Sequence, residues 1–343
     1  MRQVNIYKKM RLSLVFCLLV ISCHAQDLMK SGPMVGYSTM QEVLLWVQTS
    51  ENAKVHFEYY EMDNPKIRFK TDQKETLKKS GYVAKLIADE VVPGKNYKYE
   101  IFINGAKVER DYSMEFQTQK LWKWRTDPPD VSFVIGSCSY VNEPKFDRPG
   151  KPYGNNFEIF NSIHSKNPDF MLWLGDNTYL REPDWNSRTG FINRYSHTRA
   201  LAELQPLLAS THHYATWDDH DFGPNNSDGS FWLKETASEI FKLFWGNPNY
   251  DVTGKGGITG FFQWGDLDFF LMDNRYHRTS NNNFTENRQL LGKDQIDWLI
   301  NALSFSQAPF KFIAIGGQVL SSGAVYENYA TCPEERKYLL DKI

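Results

Sequence analysis

The sequence has little cysteine, no excess of basic charge and no apolar run long enough to anchor it in a membrane. Its 343 residues include four cysteines, too few for a scaffold held together by disulfides. Lys and Arg number 39 against 41 Asp and Glu, so a nucleic-acid-binding role has little support. With 41% hydrophobic and 23% charged residues, the composition excludes a disordered chain. The 15% of aromatic residues fits a sheet-rich protein with a large core.

Residues 1–25 are typical of an export signal. Basic residues and no acid precede an apolar run over 12–22, which is too short to be a stable transmembrane anchor. Small residues then offer two processing sites, cleavage before Gln26 or lipidation of Cys23, and both stay open. We therefore predict an exported protein, either periplasmic or extracellular, with Cys23 as an alternative outer-membrane lipid anchor.

Residues 27–118 have the pattern of a small β-sandwich. Val55, Phe57 and Tyr59 alternate with more polar neighbours, which is the period of a half-buried strand. Asn104-Gly105 marks a tight hairpin turn. No amphipathic helix pattern and no cluster of catalytic residue types occur here, so a supporting or substrate-presenting role is the simpler interpretation.

Residues 128–343 follow a polar linker and change the pattern to strands alternating with helices. The short apolar runs are 131–137, 170–175, 214–218, 267–272 and 310–316. Helical patterns lie between them, at 156–166, 190–210 and 231–245. Such alternation predicts an α/β domain with a buried central sheet.

Each of the five apolar runs ends in polar residues of metal-ligand or catalytic type. These ends are Gly136-Ser137-Cys138, Gly175-Asp176-Asn177-Thr178-Tyr179, Trp217-Asp218-Asp219-His220-Asp221, Asp273-Asn274-Arg275 and Gly316-Gly317-Gln318. Ligands gather at the carboxyl ends of strands in α/β sheets, so one shared site is a better interpretation than scattered turns.

The residue types at these ends suit a metal centre. Asp176 offers a hard anionic oxygen able to bridge two ions, and the phenolate of Tyr179 suits a trivalent metal such as Fe³⁺. Cys138 could add a thiolate, and its alternative is a small buried core residue. Asp218 and Asp219 are adjacent, so we expect one to face the metals and the other to anchor the loop.

Three further side chains suit phosphate chemistry. His220 could protonate a leaving-group oxygen, with Asp221 orienting the imidazole. Arg275 could bind phosphate oxygens bidentately, and its alternative is a surface salt bridge. Weaker candidates for carbonyl ligands are Asn225, Asn226 and Gln318.

These motifs together resemble the alkaline phosphatase D-like (PhoD-like) family of metallophosphatases. The resemblance rests on Gly-Ser-Cys at 136–138, Gly-Asp-Asn-Thr-Tyr at 175–179, Trp-Asp-Asp-His-Asp-Phe-Gly-Pro-Asn-Asn at 217–226, Leu-Met-Asp-Asn-Arg-Tyr at 271–276 and Gly-Gly-Gln-Val-Leu at 316–320. It implies a mixed-sheet α+β metallophosphatase sandwich, preceded by a fibronectin type III-like β-sandwich.

The resemblance also implies a chemistry. A small-molecule phosphate ester would be hydrolysed at iron (Fe³⁺) and calcium, or another divalent metal pair, by attack of an activated hydroxide on phosphorus. Cys138, Asp176 and Tyr179 would be the iron ligands, while Asp219 and His220 would match the Asn-His pair of the wider metallophosphatases. We expect a monomer.

One family motif, a final strand carrying Gly-Asp-x-His-His, has no counterpart, since the last histidine is His277. The chain closes on a helical pattern over 333–343 without a stop signal, so we expect it to be shortened at its C-terminus. Two alternatives to an active enzyme follow. One is a catalytically incomplete product, and the other is a cell-surface binding protein working through the β module over 34–118, which exposed aromatic residues there would favour.

Overall fold

The computed structural model describes residues 28–141, 143–147, 149–150, 154, 156–284 and 287–343. The export signal predicted at 1–25, with Cys23, lies outside the described residues. Within the described part, no helix is both long and apolar enough to cross a lipid bilayer.

Strands dominate the first third of the chain, and strands and helices alternate after it. The strands are β1 (Met29–Ser38), β2 (Val43–Thr49), β3 (Lys54–Glu61), β4 (Phe69–Lys70), β5 (Lys74–Glu75), β6 (Val83–Ala88), β7 (Asn96–Ile103), β8 (Ala106–Val108), β9 (Glu115–Gln117), β10 (Phe133–Gly136), β11 (Phe170–Leu174), β12 (His212–Thr216), β13 (Gly260–Trp264), β14 (Leu267–Leu271) and β15 (Phe310–Ala314). The α-helices are α1 (Glu158–His164), α2 (Arg188–Arg199), α3 (Gln205–Ser210), α4 (Asp219–Phe222), α5 (Lys234–Phe244), α6 (Lys293–Phe305) and α7 (Pro333–Leu340).

One of two six-stranded sheets joins the two halves of the chain. Its six strands lie in the order β10-β11-β12-β1-β2-β6. Strands β10, β11, β12 and β1 are parallel neighbours, whereas β1, β2 and β6 pair antiparallel. The predicted boundaries 27–118 and 128–343 stay predictions, and the backbone ladder runs across them.

A second six-stranded sheet and a three-stranded sheet pack on one face of this sheet, and helices pack on the other. Strands β3, β4, β5, β7, β8 and β9 form the sheet that covers β1, β2 and β6, while β13-β14-β15 covers β11 and β12. Because strand side chains alternate, Phe170 and Leu172 face β13 and β14, whereas Met171 and Trp173 face the helices. Helix α6 and the C-terminal helix α7 cover the outer face of the three-stranded sheet. The result is a sandwich of helices, two sheet layers and helices.

The predicted fold class is confirmed, with an all-β first part and mixed sheets flanked by helices after it. The five predicted apolar strands are β10, β11, β12, β14 and β15, and the Asn104-Gly105 hairpin joins β7 to β8. The single helix predicted at 190–210 is instead two helices. The second restarts with Pro206 in its first turn, where a missing N–H removes no helical hydrogen bond.

Candidate metal centre

The polar residues predicted as a site follow strands that end at one edge. Strands β10, β11 and β12 are parallel neighbours, so the residues after them lie side by side. Strands β14 and β15 are also parallel, and the glycine after β15 approaches the loop after β12. A Cβ at Gly316 would lie 2.5 Å from the Trp217 carbonyl oxygen. The parallel pairings within each sheet and this contact between the two sheets therefore bring the strand ends together.

The turn after β11 is tightly constrained. Gly175 has φ +98°, and a Cβ there would lie 2.7 Å from the Asp218 Cβ, so no side chain fits. Asp176 and Cys138 both have left-handed backbones, with φ of 51° and 56°. The Cys138 N–H donates to the Gly175 carbonyl at 3.1 Å, and the Ser139 N–H to that of Asp176 at 2.8 Å. Such conformations in non-glycine residues persist where neighbouring contacts hold them, and they cluster at functional sites.

Asp176 is the centre of the arrangement. Its Oδ2 accepts the Tyr179 hydroxyl at 3.0 Å and lies 3.8 Å from the Cys138 Sγ. Its Oδ1 accepts the backbone N–H of His220 at 3.3 Å. One ligand atom each from Asp176, Asp219 and His220 lie within 4.8 Å of one another. The structure thus brings together Cys138, Asp176, Tyr179 and Asp219, the four predicted metal ligands.

The acids of the cluster are crowded in a buried place. Burial, together with Asp219 and Asp218, raises the pKa of Asp176 to about 7. Burial also acts on Asp219, but nearby Arg275 and His220 hold the pKa of that carboxyl below its usual value. Carboxylates held this close repel one another, and a bound cation relieves that repulsion.

The donor set fits a metal ion. Burial and the neighbouring Asp176 raise the pKa of both the Tyr179 hydroxyl and the Cys138 thiol, so both groups stay protonated unless a cation is near. His220 Nδ1 is buried and has no hydrogen-bond partner among the described residues. Carboxylate, phenol, thiol and imidazole groups therefore converge on one place, where they offer oxygen, sulfur and nitrogen ligands to a cation.

The two adjacent acids point in different directions, as expected. Asp218 Oδ1 accepts the Arg275 Nε–H at 2.6 Å and the Asn274 amide at 2.7 Å. Asp219 Oδ2 accepts the backbone N–H of Asn226 at 2.6 Å and lies 4.0 Å from the His220 Nε2. Asp218 therefore holds the loop, and Asp219 belongs to the cluster.

Arg275 differs from both interpretations given to it from the sequence. Its side chain is 1% exposed, so it is not a surface salt bridge. Its Nε and one terminal nitrogen contact Asp218, and its two terminal nitrogens bind Glu327 bidentately at 2.7 and 2.8 Å. The Ser227 carbonyl accepts the remaining N–H at 3.1 Å. All five guanidinium donors are used, so this geometry does not support the predicted phosphate contact.

Asp221 also has a different role from the one predicted. It is fully buried, and backbone N–H groups of Asn177, Thr178 and Asp218 donate to its carboxylate at 3.0 to 3.2 Å. These bonds tie the turn after β11 to the start of α4, which favours a structural role over orienting the His220 imidazole. The Asp-x-x-Asp spacing at 218–221, typical of a helix N-terminus, was an available signal.

A cleft of about 490 Å³ opens beside the cluster. Its lining includes His220 and the weak candidate Asn225, whereas the backbone N–H of Asn226 is bound to Asp219. Gln318 lies away from the cleft lining, and its side chain accepts the Asn328 amide at 3.2 Å. Sequence reasoning missed two residues, Glu327, which pairs with Arg275, and Arg181, which lines the cleft.

Comparisons with known proteins agree with the motifs. A family model described as "PhoD-like phosphatase" matches residues 246–334. Alkaline phosphatase D of Bacillus subtilis (strain 168) is 23% identical over 269 residues, which are 66% of this chain and 43% of that protein. Both matches are to PhoD-like phosphatases, which agrees with the family that the motifs resemble. The chain spans less than half of that curated protein's length.

Two solved structures share the fold of the chain. A structure described as that of PhoD superposes with a TM-score of 0.73 at 18% identity, covering 92% of this chain and 69% of the other. A purple acid phosphatase from yellow lupin (Lupinus luteus) seeds gives a TM-score of 0.57 at 14% identity, covering 85% and 52%. At these identities the likeness shows the fold. Residues 26–121 match a domain of unknown function (DUF7800).

The surface of the β module bears on the alternative of a cell-surface binding protein. Within the described residues 34–118, the exposed large hydrophobic side chains are Met62, Ile67 and Val92, and none is aromatic. The exposed aromatic surface that would favour a cell-surface binding protein is therefore not found there.

Proposed function

We propose that this PhoD-like protein is an exported, metal-dependent phosphoester hydrolase of the alkaline phosphatase or phosphodiesterase type. The observation that carries the proposal is the convergence of Asp176, Asp219 and His220 at the shared edge of parallel strands. Its relatives' names, a PhoD-like phosphatase and an alkaline phosphatase D, support the same reaction class.

The ligand types suit two different metal ions. Asp176 and Asp219 would hold a pair of ions, and Tyr179 and Cys138 would complete the shell of one of them, an iron ion. The second ion would be calcium or another divalent metal. When bound, such ions supply Lewis-acid stabilisation of phosphoryl charge and lower the pKa of a water nucleophile. The protein would be a monomer acting on a small-molecule phosphate ester.

His220 has the position of a proton donor. It borders both the acid cluster and the cleft, and its backbone N–H is fixed on Asp176. The Tyr179 ring packs 4.4 Å from its imidazole centroid, which limits the rotamers of the imidazole. From there His220 would hold a proton near the departing alcohol oxygen, which is the general-acid part of the reaction.

The test combines activity with metal content. The purified chain is loaded with iron and calcium and assayed with 4-nitrophenyl phosphate and its diester, then dialysed against a chelator. We expect phosphate release that chelation abolishes. Asp176→Asn should lower activity at least about 100-fold and lose metal in mass spectrometric analysis.

Asp294→Asn is the matched control, since Asp294 lies on α6 with 67% of its side chain exposed. It should keep wild-type activity and metal content. An Asp176→Asn variant that retains both its metal and its activity would contradict the proposal.

A further inference from the structure

Arg181 is a second arginine beside the candidate metal centre, and it lines the cleft. Its side chain is 13% exposed, and one terminal nitrogen forms an ion pair with Asp147 at an N–O distance of 3.7 Å. Its Nε is buried and has no hydrogen-bond partner among the described residues. Arg275, by contrast, has every donor engaged. Arg181 is therefore the arginine of this site that is able to bind an anion.

The backbone around Arg181 is fixed. The Leu180 N–H donates to the His220 carbonyl at 3.1 Å, which ties the segment to the cluster. The Arg181 N–H donates to the Asp184 carboxylate at 2.9 Å, and Arg194 Nε–H donates to the same oxygen at 2.8 Å. Asp184 and Arg194 are both about 1% exposed. A buried ion pair thus holds the turn that presents Arg181 to the cleft.

His220 contacts the acids and also lines the cleft with Arg181. Its Nε2 lies 4.0 Å from an Asp219 carboxylate oxygen. If His220 protonates the departing oxygen, as the proposed function requires, the alcohol portion of the ester must lie on the cleft side. Arg181 then meets that alcohol portion, and the phosphoryl group stays with the metals.

The remaining walls of the cleft suit a planar group. Tyr140 and Trp185 line it beside Tyr179, and rings of this kind pack against flat ligands. Glu182 also lines the cleft but is exposed, so solvent screens its charge.

We propose that Arg181 forms a leaving-group subsite that selects phosphate esters whose alcohol portion carries a ring and a second anionic group. This inference rests on the proposed function. The guanidinium of Arg181 would bind the second anion bidentately, which is stronger and more directional than binding by a point charge.

The test uses two esters that differ in one charge, 4-carboxyphenyl phosphate and its methyl ester. Wild type should prefer the carboxylate by about ten-fold in kcat/KM, the size expected of one charged hydrogen-bonding contact. Arg181→Gln should remove that preference, mainly through a higher KM for the carboxylate ester. Arg181→Lys should restore part of it.

Arg188→Gln is the matched control, because Arg188 lies on α2 and binds the exposed Glu239. It should keep the full preference. An Arg181→Gln variant that loses activity equally on both esters, or that keeps the preference, would overturn the subsite.

If wild type hydrolyses neither ester, the proposed function fails and the subsite is tested by calorimetric binding of 4-carboxyphenyl phosphate. About ten-fold weaker binding by Arg181→Gln would support the subsite, and equal binding would overturn it.

Discussion

His213 on β12 should make the folded state lose stability as the pH falls. The Trp173 indole N–H donates to its Nδ1 at 3.0 Å, and its Nε2 lies 3.2 Å from the Leu207 carbonyl oxygen. These partners require a neutral ring with the proton on Nε2. A second proton on Nδ1 would face the Trp173 N–H. Burial accordingly lowers the pKa of His213 to about 3.

The direction of this pH effect on stability depends on which state, folded or unfolded, binds the proton at the higher pH. In the unfolded chain the imidazole takes a proton near its usual pKa of 6.5, whereas the folded chain resists it down to about 3. The contribution of His213 is therefore present above pH 6.5 and is lost as the pH falls towards 3. The whole difference is worth about 5 kcal/mol, of which about 2 kcal/mol is lost between pH 7 and pH 5.

The assay is urea unfolding followed by tryptophan fluorescence at pH 8, 7, 6 and 5, for wild type and His213→Gln. The glutamine amide can accept from Trp173 and donate to Leu207 but does not titrate. We expect the stability advantage of wild type to shrink by about 2 kcal/mol from pH 7 to pH 5. The difference measured at pH 8 gives the cost of the substitution itself. Parallel stability curves for the two proteins across this range would refute the reasoning.

Two substitutions test the frame of the site. Glu327→Gln removes the bidentate partner of the buried Arg275 and leaves it Asp218 and, at 4.0 Å, Asp219. The change should lower the free energy of unfolding by about 3 kcal/mol, measured with urea; a loss near zero would show that the pair is not needed. Gly175→Ala should destabilise the fold and weaken metal binding, because the new Cβ would overlap the Asp218 Cβ. Gly317→Ala should do neither, because its Cβ would have no neighbour within 3.4 Å. Equal metal content in the two variants would contradict this.

The strands and the cluster could be predicted from the sequence because their signals are local. Short apolar runs predicted β10, β11, β12, β14 and β15, and each run was followed directly by its polar residues. Asp176, Asp219 and His220 converge because parallel neighbouring strands end at one edge. The sequence motifs and the sheet topology therefore indicate the same site.

The errors concern contacts that are distant in sequence. No sequence pattern near Arg275 indicates that Glu327, 52 residues later, accepts two of its guanidinium hydrogen bonds. The position of Arg181 at the cleft depends on a turn fixed by Asp184 and Arg194. Likewise, no local pattern indicates that β1 pairs with β12, because pairing partners are set by tertiary packing. The metals themselves and the export of the chain stay predictions.

The shared sheet has a kinetic consequence. Strand β1 can pair with its parallel partner only after β12 has been synthesised. The contact between Gly36 and His212 spans 176 residues of sequence. Contacts this distant slow folding, because the loop between them must close before the pairing stabilises it. Until then one edge of β1 is open to other chains. The nascent protein should therefore depend on chaperones that shield this strand during synthesis, and aggregation should begin there when they are limiting.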